Sequence, residues 1–260
     1  MGVAATYVEG MTRGRELALL AWDDRTGELD GGPELGCALA GAELLDLLEA
    51  GRLGIRGANL TLLGRTQTEP HTGDPRFDRA IAVIKLIPEP KVVQAWIKRH
   101  APELRDSYRA LLEDEGTIAP RRGRRLGLIP TSRTALADPS ERDGLIARLS
   151  LLATEDEPFA ALAHRAGLTP LLFPGPEQEE LRESIAETTR SLSEALPAAA
   201  DPEVLADPDT AVRTVLRQVR DAVVQLRTAG PKKRGGYDSL SHNSPGDSTT
   251  SIAGLGGGGI

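Results

Sequence analysis

Residues 69–81, EPHTGDPRFDRAI, put a histidine and two acids, His71, Asp74 and Asp78, around a glycine turn. Imidazole beside carboxylate is the material of general acid–base catalysis and of metal ligation. Both chemistries need more converging groups than this, and no second His or Cys stands at ligand spacing from His71. Capping chemistry accounts for the same residues more fully. Asp74 can accept from free amide N–H groups at a helix start, and Pro75 suits the first helical position, where its missing N–H costs nothing. Asp78 then falls in the first turn, where negative charge favours the helix dipole. Phe77, Ala80, Ile81 and Ile84 supply a buried stripe behind it. The stretch reads as the start of a helix.

Other chemical signatures are equally thin. Cys37 is the lone cysteine, so neither an internal disulfide nor a zinc knuckle can form, and its apolar surroundings read as a small buried hydrophobe. There is no Walker A lysine loop, HExxH or GxSxG motif, and the terminal GLGGGG has no strand before it or helix after it to cradle phosphate. The acids in LEDEG and EQEELRE read as solvated helix faces. His164 reads as a core or boundary histidine. An enzyme would need polar groups converging on His71, His100 or His164 in a deep pocket. The expectation is a non-catalytic protein with no metal or cofactor.

The chain has 260 residues, enough for one large domain or two small ones. Its apolar side chains are mostly aliphatic, which favours a helix-rich core. The net charge of −7 argues against nucleic acid as a general partner, although APRRGRRLGLIP (119–130) and PKKRGG (231–236) are basic islands. The N-terminus lacks a basic stretch followed by an apolar one, so no signal peptide is expected, and no apolar run approaches a bilayer span. A reducing cytoplasm fits the single cysteine.

The elements follow from periodicity. Residues 13–22 predict a short amphipathic helix, 24–33 a loop, and 34–50 a second helix with Leu35, Leu39, Ala42, Leu45 and Leu48 in phase. RLGIR and NLTLLG predict two short strands. KVVQAWIKRH and PELRDSYRALLEDEG predict two consecutive helices. Residues 117–130 predict a hairpin with its turn at Arg122-Gly123-Arg124. Asp138-Pro139 and DEPFAALAHRAG open further helices, and two long ones close the fold. In these, Leu181, Ile185, Leu192 and Leu196, then Val212, Val215, Leu216, Val219, Val223 and Leu226, line the buried faces. The expected organisation is a flexible 1–11, a helical domain over 12–229, and a disordered tail over 230–260, whose composition buries too little apolar area.

Several of these segments, in order, resemble the Golgi phosphoprotein 3 (GPP34) family: ELALLAWDDRTGEL, ALAGAELLDLLEAGRLGI, TGDPRFDRAI, VVQAWI, LRDSYRALLEDEGTI and PLLFP. The resemblance spans roughly residues 12–228. It implies a mainly helical GPP34-type fold with a protruding β-hairpin. It also implies a peripheral membrane adaptor that recognises phosphatidylinositol 4-phosphate, inserts its hairpin and holds other proteins, with oligomers forming through the hairpin. The family's head-group pocket uses a tryptophan and three arginines, which fall here on Gly31, Ala40, Pro102 and Arg105. Only Arg105 keeps its chemistry, and one guanidinium is a thin clamp for a multivalent anion.

The hairpin retains more. Arg121, Arg122, Arg124 and Arg125 flank Leu126, Leu128 and Ile129. Near an anionic surface each basic residue contributes about 1 kcal/mol, and exposed aliphatic side chains can enter the interface. The alternative is a solvated turn whose leucines pack on the body. Two functions stay open: a peripheral adaptor on anionic lipid with an unidentified protein partner, and a protein–protein module that never touches lipid.

Overall fold

The computed structural model describes residues 12–67, 75–125, 129–151, 156–194 and 204–229; at 65, 67, 122–125 and 129–132 only the main chain is described. The chain divides after Ala229. The predicted 230–260 tail and the flexible 1–11, like His71, Asp74, Leu126, Leu128 and Leu196, lie outside the described residues.

The fold is mainly helical. Its helices are α1 (Arg13–Ala21), α2 (Gly32–Glu49), α3 (Pro75–Leu86), α4 (Val93–Asp114), α5 (Pro139–Leu151), α6 (Glu157–Arg165), α7 (Thr169–Leu172), α8 (Glu179–Glu194) and α9 (Pro208–Thr228). Three antiparallel hairpins accompany them: β1–β2 (Trp22–Asp23 with Glu28–Leu29), β3–β4 (Leu53–Arg56 with Asn59–Leu62) and β5–β6 (Ile118–Arg125 with Ile129–Leu136).

Helix starts follow side-chain chemistry. Thr12 Oγ1 accepts from Arg15 N, Asp156 Oδ1 from Phe159 N, and Asp207 Oδ1 from Thr210 N. Each pairs one of the amide donors a helix end otherwise leaves free. α3 begins at Pro75 with Asp78 in its first turn, as the spacing predicts.

α2 is the central element. Every residue from Leu35 to Leu47 is buried, the signature of a helix covered on all sides rather than on one face. α1, α4, α6 and α9 pack around it. Contact with α4 is close because Gly36 has no side chain: a Cβ there would stand 2.4 Å from the Ala101 carbonyl oxygen.

Four expectations are corrected. α4 is one helix where two were predicted, and it runs straight through Pro102. A mid-helix proline costs about 3 kcal/mol. The buried stripe of Trp96, Ile97, Ala101, Leu104, Tyr108 and Leu112 spans it, and each large side chain buried contributes roughly 1.5–3 kcal/mol. Pro102 and Lys98 are both exposed, so the carbonyl the proline leaves unpaired is on the solvent face.

The long hairpin does not turn at 122–124. Arg122 pairs with Ser132, Gly123 with Thr131 and Arg125 with Ile129, so the connection is residues 126–128. Turn-like composition yields here to an eight-residue partner strand containing Ile129, Thr131 and Thr134. The predicted loop at 24–33 holds β2, and its partner β1 takes Trp22 from the end of the predicted helix and sets it opposite Leu29. Finally, Leu226 is 41 % exposed although its phase placed it in the core; every residue of α9 from Val224 onward is exposed.

Candidate functional site: the base of the long hairpin

The β5–β6 hairpin is held at its base from two sides. On one side is the turn between β1 and β2. Asp24 Oδ1 accepts from the Leu136 main-chain N–H at 2.8 Å and from Trp22 Nε1 at 3.1 Å. A Cβ on Gly27 would stand 3.2 Å from the Thr134 carbonyl oxygen, so the turn lies directly against β6. The neighbouring Asp23 carboxyl closes the turn, accepting from Arg25 N and Thr26 Oγ1.

On the other side is Arg15 of α1, itself only 8 % exposed. Its Nε donates to Glu115 Oε2 at 2.6 Å, Nη1 to Glu141 Oε1 at 2.5 Å and Nη2 to Thr117 Oγ1 at 3.0 Å. One guanidinium thereby joins the end of α4, the entry to β5 and the start of α5. Burial works against its charge, but the bonds to Glu141 and Glu115 prevail and raise its pKa above the ordinary value. Ala137 N donates to the Thr117 carbonyl and closes the ladder behind Ile118 and Leu136, both buried.

Beyond this base the described side chains face solvent. Arg121 and Arg133 stand directly opposite each other in the register, and both are exposed. Arg121 Nη2 donates to the Leu136 carbonyl at 2.9 Å, which steadies one of the two. Arg122, Arg124 and Arg125 continue along β5, opposite Ser132, Pro130 and Ile129. Their side chains and that of Ile129 lie outside the description, as do Leu126 and Leu128 altogether.

The packing decides what can stand at the four head-group positions. Gly31 caps α2 in a left-handed conformation, φ 88°, and its missing Cβ would stand 2.7 Å from the Ala166 carbonyl oxygen, leaving no room for an indole. Ala40 is wholly buried, and Pro102 is exposed. Arg105 Nη2 donates to the Leu29 carbonyl at 2.5 Å, and its buried Nε has no hydrogen-bond partner. Arg105 therefore braces β2 against α4.

The two described histidines, His100 and His164, have different neighbours. His100 is buried, with Nε2 3.0 Å from Glu43 Oε2 and its ring 4.7 Å from that of Trp96. His164 Nδ1 stands 3.3 Å from Thr169 Oγ1, and burial, then Arg165 and Arg227, lower its pKa. Burial pushes the Cys37 thiol up to about 11, an unreactive state. Among the described residues no group of three or more His, Cys, Asp or Glu could hold a metal ion, and no helix is long and apolar enough to cross a membrane.

Sequence reasoning found the hairpin but missed Arg15 and Asp24, which hold it. The local pattern offers little signal for Arg15: α1 opens with Arg13, Arg15 and Glu16 together, and only the fold shows that Arg15 and Glu16 are buried.

Among curated proteins none matches the chain. The family model described as Golgi phosphoprotein 3 (GPP34) matches residues 14–226, which include every described helix start after α1 and the whole hairpin base. The chain belongs to the Golgi phosphoprotein 3 family, a family of non-catalytic proteins.

Proposed function

We propose that this protein is a peripheral adaptor that docks on anionic membrane through the basic strand β5 and holds a protein partner there. The observation that carries the proposal is the Arg121–Arg133 pair, two exposed guanidiniums directly opposed in the ladder. Like charges in that relation destabilise a hairpin by several tenths of a kcal/mol. A surface of phosphate and carboxylate groups supplies the missing counter-charge. The body carries an overall −7, so only a local foot can approach such a surface. The Asp24 and Arg15 bonds give that foot a rigid root.

Vesicle co-sedimentation tests it. The full chain is expected to pellet with phosphatidylcholine–phosphatidylserine vesicles at low salt, to be released as salt rises, and not to pellet with phosphatidylcholine alone. Serine at Arg121, Arg122, Arg124 and Arg125 together should abolish pelleting. Equal pelleting with both vesicles, unchanged by the substitutions, overturns it.

Arg105 favours a second reading. Its bond to the Leu29 carbonyl removes the one cation left at the head-group positions, which suits a protein–protein module without a phosphoinositide site. In that case partners are retained when the four arginines become serine and are lost when residues 231–260 are deleted.

A further inference from the structure

A different part of the surface carries its own chemistry. The β3–β4 hairpin is flanked by the segment before α4: Leu60 N donates to the Lys91 carbonyl at 2.8 Å, and Val93 N to the Ala58 carbonyl at 3.0 Å. Together with the end of α3, this encloses a groove of about 500 Å³. That size falls within the range of small-molecule sites. Leu60, Leu62 and Pro90 also line it, Leu60 being only 4 % exposed.

Three cations line the groove, Arg56, Lys85 and Lys91, against one carboxylate, Glu89. Lys91 Nζ is bonded to Glu89, so the only acid is already engaged. Arg56 and Lys85 are exposed and have no ion-pair partner among the described residues. Lys85 lies in the last turn of α3, where a cation offsets the helix dipole, and that explains one charge of the three. Arg56 ends β3, where there is no helix dipole for it to offset. Asn59 and Thr61, on the same wall, add a side-chain amide and a hydroxyl as neutral donors. Guanidinium, ammonium and neutral donors around one groove are what a multiply charged oxyanion requires.

We propose that this groove binds a phosphate-bearing small molecule or head group, with Arg56 and Lys85 as the anion clamp and Lys91, held by Glu89, beside them. No residue of β5 or β6 takes part, so the site stands or falls separately from the hairpin.

Calorimetric titration of the full chain with inorganic pyrophosphate at low salt tests the groove, and vesicles of phosphatidylcholine with and without phosphatidic acid test the lipid source. The combined variant Arg56→Ser/Lys85→Ser is compared with Lys98→Ser/Arg99→Ser, an equal charge change at exposed positions on α4. The expected result is saturable pyrophosphate binding, weakened roughly tenfold or more by the groove variant and little by the control. The four-arginine hairpin variant should retain it. Should pyrophosphate fail but phosphatidic acid vesicles bind, with the groove variant alone losing them, the clamp takes its phosphate as a lipid head group. Wild-type binding to neither probe, or equal loss in groove and control variants, overturns the proposal. Unchanged melting temperatures in both variants exclude unfolding as the cause.

Discussion

Asp24 Oδ1 lies 2.8 Å from the main-chain nitrogen of Leu136, a bond across 112 residues that ties the first turn of the chain to the root of the long hairpin. Leu136 is the last residue of β6 and is buried, so its N–H has no water to fall back on. Asp24→Ala strands that donor and that of Trp22. The expected cost is about 1–3 kcal/mol in urea unfolding, with faster hydrogen exchange at the Leu136 amide. Asp24→Asn keeps an acceptor oxygen and should cost clearly less. Equal effects of the two substitutions would mean that charge, not the acceptor, anchors the hairpin.

Arg15 makes a second prediction. Its partners Glu115 and Glu141 are about one-third exposed, so solvent screens part of each attraction. Arg15 itself is nearly enclosed, and its planar fork reaches three acceptors that a lysine ammonium cannot span together. Arg15→Lys should lower stability by about 1–2 kcal/mol, and Arg15→Ala by more, since it leaves a cavity as well. In the Arg15→Ala background, Glu115→Gln/Glu141→Gln should recover part of the loss by removing carboxylates that no longer have a counter-charge. Urea midpoints at constant slope report all three.

The contrast between these two residues and their elements shows what could be read from sequence. Asp-Pro helix starts, the leucine- and alanine-rich stretch Leu35–Leu47 and the pair of strands ending at Leu62 are decided by neighbours in the chain, and periodicity reveals them. Arg15 meets Glu115, Thr117 and Glu141 only after 100 or more residues have folded back, and nothing in the local pattern encodes that meeting. Pro102 shows the opposite failure. A local rule was applied where a stripe of buried side chains on either side outweighs it. At the candidate site the basic composition of β5 was legible, but the register that sets Arg121 against Arg133 depends on a partner strand that composition did not mark.

Asp46 supplies a pH dependence. Its carboxyl, 4 % exposed, is raised from 3.8 to about 7. Burial is the main cause, partly countered by Arg13 and reinforced by Glu49, and its Oδ2 has no hydrogen-bond partner. The folded state thus holds a proton that the unfolded chain releases at lower pH. This contribution to stability is fully present below about pH 4 and disappears as pH rises through about 7. Between about pH 5 and pH 9 the wild-type protein should lose roughly 1–3 kcal/mol that Asp46→Asn, which mimics the protonated form, does not lose. Thermal melts of both proteins across that range give the comparison. Parallel curves would place the proton elsewhere.

Arg133→Glu separates the folding role of the hairpin's charges from any membrane role. Facing Arg121 across the ladder, a glutamate replaces a like-charge pair with an opposite one, worth several tenths of a kcal/mol to the hairpin. Melting temperature should therefore hold or rise slightly. At an anionic surface the same change removes one positive charge and adds a negative one, and at about 1 kcal/mol per basic residue it should weaken vesicle binding by roughly 2 kcal/mol. The two readouts move in opposite directions, which a simple loss of structure cannot produce. The salt dependence of the remaining binding should also become shallower, because fewer protein cations meet the surface. A more stable variant that binds phosphatidylserine vesicles as well as wild type does would remove Arg121 and Arg133 from the contact. The basic strand would then be a solvated edge protected from pairing with other chains, a use of charge that sheet edges require in any case.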